Sequence, residues 1–292
     1  MASLKTLKKR IQSVQSTRKI TSAMRMVATS YYRRYQTQIA PIRRMNSELT
    51  AALKTAYVVN SLEGYIDPFV ASSAPVKNHL LLVIGTDRGL CGSFNIKLLN
   101  NAQGKVDQLI DMGQNVSVLC VGHRLSSMTS MINQAQAVKG HEIDYKNVAG
   151  FAASFISHLR KLRRENLIQA CTVIYGSHES AISFTPKAMS LLPIFSEQDF
   201  ENKEDIIDPL FESEPDPSCF MESLAPEVAR SLLQQAIIES KASEESTRMV
   251  AMENATKNAE EMIRKLNIEF NRNRQASITK ELIEIISGAE AV

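Results

Sequence analysis

Any chemistry in this chain of 292 residues has to come from a short roster of side chains. His79, His123, His141, His158 and His178 stand in unlike contexts, and none adjoins a recognisable nucleophile motif. The carboxylates Glu244-Glu245 and Glu260-Glu261 are adjacent on a presumed helix and so point to different faces, which reads as solvated charge rather than an acid–base pair. Thr86-Asp-Arg-Gly-Leu-Cys-Gly-Ser-Phe-Asn95 follows an apolar run. Such strand-to-helix loops can cradle phosphate on helix N-terminal amides. Gly89-x-x-Gly92 is its only glycine pattern, with neither GxGxxG nor GxxxxGK ahead of Ser or Thr, so tight-turn packing is the preferred reading over nucleotide binding. Cys91, Cys120, Cys171 and Cys219 form no CxxC pair and no Cys/His cluster, so reduced, buried thiols are expected, with no metal and no cofactor. No residue is a good candidate for making or breaking a bond.

The elements around these residues are more informative. From about Ser223 to Ser287 the chain is dominated by Ala, Glu, Lys, Arg, Met and Leu, and past Pro226 it lacks Gly and Pro until Gly288. That composition predicts one helix spanning roughly 90 Å at 1.5 Å per residue. A helix of that length needs a partner helix, a sleeve, or both. Met249, Met252, Ala255, Ala259, Met262, Leu266 and Phe270 recur every three or four residues and form a seam of small and flexible knobs. Further on, Leu282, Ile283, Ile285 and Ile286 cover more than half the circumference, as in a helix enclosed on several sides.

The N-terminal stretch Ser3–Ala40 is also free of Gly and Pro. Leu4, Leu7, Ile11 and Val14, then Ile20, Met24, Val27, Tyr31 and Tyr35, make its seam, and Pro41 is expected to kink or interrupt the helix before Ile42–Val59 resumes it. Two long helices at opposite chain ends imply an intramolecular antiparallel coiled coil, with a homodimeric coiled coil as the competing arrangement. Between them, after a Gly-, Pro- and Ser-rich loop, His79–Gly85, Val116–Val121 and Cys171–Gly176 read as buried strands. Helical segments lie near Asn95–Asp111, Leu125–Gln136 and Val148–Glu165, and Ala188–Phe195 adds another strand. This alternation predicts a Rossmann-like α/β domain with a mostly parallel sheet. The expected division is 1–60 for the N-terminal coiled-coil helix, 76–196 for the α/β domain, 197–217 for an acidic, Pro-rich connector and 218–292 for the C-terminal helix, with Asp216-Pro217 as its cap. The net charge is +3, but in the first sixty residues Glu48 is the only acid among many Lys and Arg, which suggests an anionic neighbour or a solvated basic face. No apolar run approaches the ~18 residues that span a bilayer, so membrane association is expected only through partners.

Three stretches resemble the gamma subunits of rotary ATP synthases. In Arg274-Gln-Ala-Ser-Ile-Thr-Lys-Glu-Leu-Ile-Glu-Ile-Ile-Ser-Gly-Ala289, the positions Ile278, Thr279, Glu281, Glu284, Gly288 and Ala289 fill that family's C-terminal pattern. Lys5–Ala28 is similar to its N-terminal helix, Ser246–Met252 to another stretch of its long helix, and Asp87-Arg-Gly-Leu-Cys-Gly92 to its internal motif. Because the likeness starts within the first residues, a basic transit peptide is not expected there. The resemblance implies a non-catalytic central-stalk rotor, one copy per complex. It would couple rotation of a membrane c-ring to ATP synthesis or hydrolysis in a head of alpha and beta subunits. An epsilon subunit would also be a partner, nucleic acid would not, and the place would be the cytoplasmic face of the bacterial inner membrane. It further implies that Met24, Arg248, Gln275, Thr279 and Glu281 contact partners. Asp87, Arg88, Gly89, Cys91 and Gly92 would form a structural motif at the stalk foot. Ile283 stands where the family commonly has a small or polar residue. Two other classes stay open: an α/β nucleotide-binding enzyme with a coiled-coil arm, and a basic coiled coil binding nucleic acid, whose affinity would fall steeply with salt.

Overall fold

A computed structural model describes residues 4–62, 67, 69–71, 75–133, 135–138, 143, 145, 147–200 and 217–290. Among these residues five α-helices and five strands follow in the order α1 (Leu4–Leu62), β1 (Asn78–Ile84), α2 (Phe94–Asp111), β2 (Asn115–Val121), α3 (His123–Ser126), β3 (Gln136–Val138), α4 (Val148–Arg164), β4 (Ala170–His178), β5 (Phe184–Leu192) and α5 (Pro217–Glu290). Short 3-10 turns occupy Thr129–Met131 and Glu197–Phe200. Two compact units result, one made of residues 1–30 and 248–292 and the other of residues 31–247. Both α1 and α5 contribute to each.

In the larger unit the sheet order is β3-β2-β1-β4-β5, parallel except for the antiparallel β4–β5 pair. Alternation along β1 divides the core. Leu81 and Val83 face α2, against Phe94, Leu98, Ala102 and Val106, while Leu80, Leu82 and Ile84 face α4 and the two long helices. On that second side, Leu53 and Val58 of α1 meet Val228, Leu233 and Ile237 of α5, and all are fully buried. α1 and α5 pair antiparallel here, Asn46 against Ser231 and Gln235, and Tyr35 and Ile39 against Ala242. In the smaller unit they again pair antiparallel. Leu7 and Ile11 pack with Leu266, followed by a polar stretch of Arg18–Glu260, Thr21–Thr256 and Arg25–Glu253. The antiparallel coiled coil of terminal helices and the Rossmann-like, mostly parallel sheet are therefore present.

Four details of the helices and strands differ from expectation. Pro41 does not interrupt α1. It faces solvent between the buried Ile39 and Ile42, so packing on both sides holds the helix across the missing donor. The buried residues Leu7, Ile11, Thr21, Ala28, Tyr32, Tyr35, Ile39, Ile42, Asn46 and Leu53 of α1 all keep to one heptad register. Ile20 and Val27, expected in the seam, are instead 59% and 51% exposed. Small or hydrogen-bonding residues occupy the contact line because the heptad register outweighs local hydrophobicity. The expected helix at Leu125–Gln136 breaks into α3, a 3-10 turn and β3. There the hydroxyls of Ser126 and Ser127 donate to the carbonyls of Cys120 and Arg124, competing with helix propagation. The last strand starts at Phe184, four residues earlier than expected.

α5 begins at Pro217 as anticipated. Residue 216 and most of the connector, 201–216, lie outside the described residues, as does most of the Gly64–Pro75 loop. Cys91, Cys120 and Cys171 are buried free thiols, whereas Cys219 is exposed, against the expectation for all four. It lies in the first turns of α5, before that helix is covered.

Gly122 opens α3 at φ +106°, and a Cβ there would lie 2.9 Å from both the carbonyl carbon of Gly85 and the oxygen of Thr86. Gly122→Ala should lower stability by about 2–3 kcal/mol, since both the φ and the backbone contact oppose it. Urea unfolding reads this as a lower midpoint at constant slope. An unchanged midpoint would mean the crossing of these two loops is slack.

Candidate functional site

Where α5 passes the ends of β1 and β4 it buries polar side chains: Glu239, Ser240, Lys241, Ser243, Glu244, Glu245 and Ser246 are each 7% exposed or less. Burying that run is tolerable only if its polar atoms are satisfied. The serines answer the backbone. Ser240 donates to the Ile84 carbonyl at 3.0 Å, Ser243 to that of Gly176 at 2.9 Å and Ser246 to that of Ala181 at 2.6 Å. Small residues at 236, 240 and 243 let the helix come close enough for these bonds.

The charges are answered by side chains. Arg43 of α1 clamps Glu239 with two hydrogen bonds, from Nε and Nη2, both 2.7 Å. Gln235 and Ser177 donate to the same carboxylate at 2.8 and 3.1 Å. Arg43 also donates to the His178 carbonyl at 3.0 Å, and the His178 ring lies 3.0 Å from the Tyr32 hydroxyl. Burial opposes ionisation of Glu239, but the Arg43 and Gln235 hydrogen bonds outweigh it and hold the carboxyl below its ordinary 4.5. Burial, then the neighbouring Arg43 charge, pushes His178 below its usual value. Two residues past Glu239, Lys241 reaches Glu244 at 2.8 Å and Glu245 at 3.8 Å, with its ammonium 4.1 Å from the centre of the Tyr145 ring. Burial first, then the Glu244 charge, raises the Tyr145 hydroxyl well above its ordinary value.

The loop after β1 closes on the same helix. Arg88 lies 3.5 Å from Glu245. Asp87 accepts the His123 amide at 3.2 Å, and Asn95 donates to the Thr86 hydroxyl at 2.8 Å. Cys91 is buried beneath the loop, Leu90 and Gly92 adopt φ +64° and +58°, and Gly89 lies between them and Arg88. The tight-turn reading of this loop fits its geometry.

Glu244 and Glu245 are each 1% exposed, so reading them as solvated charge was wrong. The sheet ends, Lys241 and Arg88 supply the surroundings that two adjacent carboxylates on an isolated helix would lack. Glu260, by contrast, is half-exposed and pairs with Arg18 at 3.7 Å. Sequence reasoning passed over Arg43, Glu239 and Lys241, and the small-residue spacing of α5 was the available signal for close packing there.

The residues expected to meet partners fall at separate stations. Met24 is half-buried on α1, and Arg248 is buried at 4% exposure directly after the polar run. Gln275, Thr279 and Glu281 are exposed on α5, about 40–50 Å along the helix from Arg248. The Thr279 hydroxyl donates to the Gln275 carbonyl at 2.9 Å, and Ser277 approaches Glu281 at 3.4 Å, both contacts within α5 itself. Around them Ile278, Leu282, Ile283, Ile285 and Ile286 are 50–69% exposed. Among the described residues no group of three or more His, Cys, Asp or Glu could hold a metal ion.

Replacing Arg43 by Met should destabilise the fold by about 2 kcal/mol at about pH 7, since Glu239 loses its clamp while Arg43 itself is partly solvent-screened. Wild-type stability from Glu239 is full above its ordinary value and fades as pH falls through its lower folded value. Chemical unfolding at about pH 7 and about pH 4 should therefore show the two proteins converging at the acid end. A constant gap would assign the Arg43 effect to packing.

A family model described as ATP synthase matches residues 3–292. Proteins of Brucella canis and Brucella ovis, both named ATP synthase gamma chain, are 37% identical over 297 residues, covering 100% of this chain and of each relative. Among solved structures, a chain of the Tetrahymena thermophila mitochondrial ATP synthase central stalk and c-ring is 25% identical, with a TM-score of 0.53 over 81% of this chain and 99% of that one. A chain of the Euglena gracilis mitochondrial ATP synthase shares the fold at a TM-score of 0.68 and 20% identity, covering 99% of this chain and 94% of that one.

Proposed function

This chain belongs to the ATP synthase gamma-chain family, a central-stalk rotor subunit, and from that premise we propose how it couples rotation to chemistry while catalysing nothing itself. Nucleotide chemistry would take place in alpha and beta subunits arranged around the paired helices. A shaft transmits rotation when each angle presents different contacts, so that contact energy differs between conformational states of the partners. Met24, Arg248, Gln275, Thr279 and Glu281 are the proposed contacts, at more than one height along the shaft. The observation carrying this reading is the end of α5, where exposed Ile278, Leu282, Ile283, Ile285 and Ile286 surround the helix and call for a sleeve wider than one partner helix.

The larger unit, with Asp87, Arg88, Gly89, Cys91 and Gly92 closing on α5, is proposed as the stalk foot, meeting the c-ring and an epsilon subunit. No helix among the described residues is long and apolar enough to cross a membrane. Attachment through that ring, at the cytoplasmic face of a bacterial inner membrane, is the proposed location.

Reversing charge at Arg248 or Glu281 should uncouple ATP turnover from proton movement. Proton pumping and ATP hydrolysis measured together in vesicles carrying the whole complex test this, and pumping that stays proportional to turnover would remove both residues from the contact set. Truncation after Ser277 should weaken seating of the shaft before it abolishes assembly, and full torque in that truncation would sink the sleeve reading.

A further inference from the structure

The larger unit carries a second group of charged side chains, remote in sequence from the run on α5. A groove runs between the C-terminal half of α4, the start of α5 and the residues Asp67 and Phe69. It consists of two cavities of about 430 and 360 Å³ that share Arg160, Arg164 and Pro226 as walls. Its cations are Arg160, Lys161, Arg163, Arg164 and Arg230, set against Asp67, Glu222 and Glu227.

The partners of these cations are few. Lys161 lies 3.9 Å from Glu165, and Arg230 hydrogen-bonds Glu227. Among the described residues Arg160, Arg163 and Arg164 make no ion pair, and the Nε atoms of Arg163 and Arg230 are buried without a hydrogen-bond acceptor. Asp67 does not take them up. Its carboxyl accepts the Phe69 amide at 2.8 Å, and burial raises it above its ordinary value despite the nearby Arg160 and Arg163.

Capping does not explain the arginines either. At the end of α4 the carbonyls of Lys161, Leu162 and Arg163 already accept the amides of Glu165, Leu167 and Asn166, each at 3.0 Å. The buried Nε of Arg163 requires an acceptor, and the half-buried Arg160 and exposed Arg164 flank it with guanidinium forks that fit tetrahedral oxyanions. We propose that this groove binds a phosphate-class anion, either a soluble phosphate or the headgroup of an anionic phospholipid, with Arg160, Arg163 and Arg164 as its principal donors. The proposal is independent of the rotor contacts above.

Inorganic phosphate titrated calorimetrically into the full-length chain, and flotation of the chain with phosphatidylglycerol or phosphatidylcholine vesicles, separate the two sources. The Arg160→Gln/Arg164→Gln variant should lose about tenfold or more in affinity for the phosphate or for the phosphatidylglycerol vesicles. Its thermal midpoint should not fall, because among the described residues neither Arg160 nor Arg164 makes an ion pair. Glu227→Gln, which releases Arg230, should tighten binding about twofold to fivefold. Phosphate binding without vesicle retention assigns a soluble ligand, and retention on phosphatidylglycerol alone assigns a lipid headgroup. Neither response, or a response that the double variant leaves intact, overturns the site.

Discussion

The larger unit depends on α5 being bonded to the sheet as well as packed on it. Serine hydroxyls at 240, 243 and 246 satisfy the carbonyls of Ile84, Gly176 and Ala181, and Arg43 binds Glu239 in the same stretch. An apolar helix in this place could shift or rotate at small cost, because hydrophobic contact is non-directional. Hydrogen bonds at fixed spacing allow one register. Buried ion pairs such as Lys241–Glu244 add little net stability, and specificity of placement is the use that accounts for them here.

The paired helices of the smaller unit follow a related rule. Apolar contact at Leu7, Ile11 and Leu266 gives cohesion, whereas Arg18–Glu260, Thr21–Thr256 and Arg25–Glu253 decide which residue stands opposite which. The threonine hydroxyls lie 2.8 Å apart, and each also reaches a carbonyl of its own helix, so two protons serve three contacts. Such a centre is less cohesive than a leucine layer and more selective in register.

Much of this was legible in the residues. The run His79–Gly85 reads as a strand buried on both faces, and the long Gly- and Pro-free stretches at each chain end read as helices. Legibility failed where tertiary surroundings decide. Ile20 and Val27 looked like seam residues because they are apolar, yet the register set from Leu7 onward selects Thr21 and Ala28. Glu244 and Glu245 looked solvated because the loop bearing Arg88 and the ends of β1 and β4 are far away in sequence. Pro41 looked like a break because its cost is local, whereas the flanking packing that absorbs it is not. The residues expected at the stalk contacts came from resemblance to a family, since no spacing rule distinguishes Gln275 from any other exposed glutamine.

The distribution of thiols has a practical consequence. Burial pushes Cys120 up to about 11 and Cys171 up to about 12, so at neutral pH both stay protonated and poorly nucleophilic, and Cys91 is shielded beneath its loop. Cys219 alone is exposed, near the start of α5. A maleimide dye or cross-linker added to the unaltered chain will therefore attach at the root of the longest helix, giving a native handle for watching that helix turn.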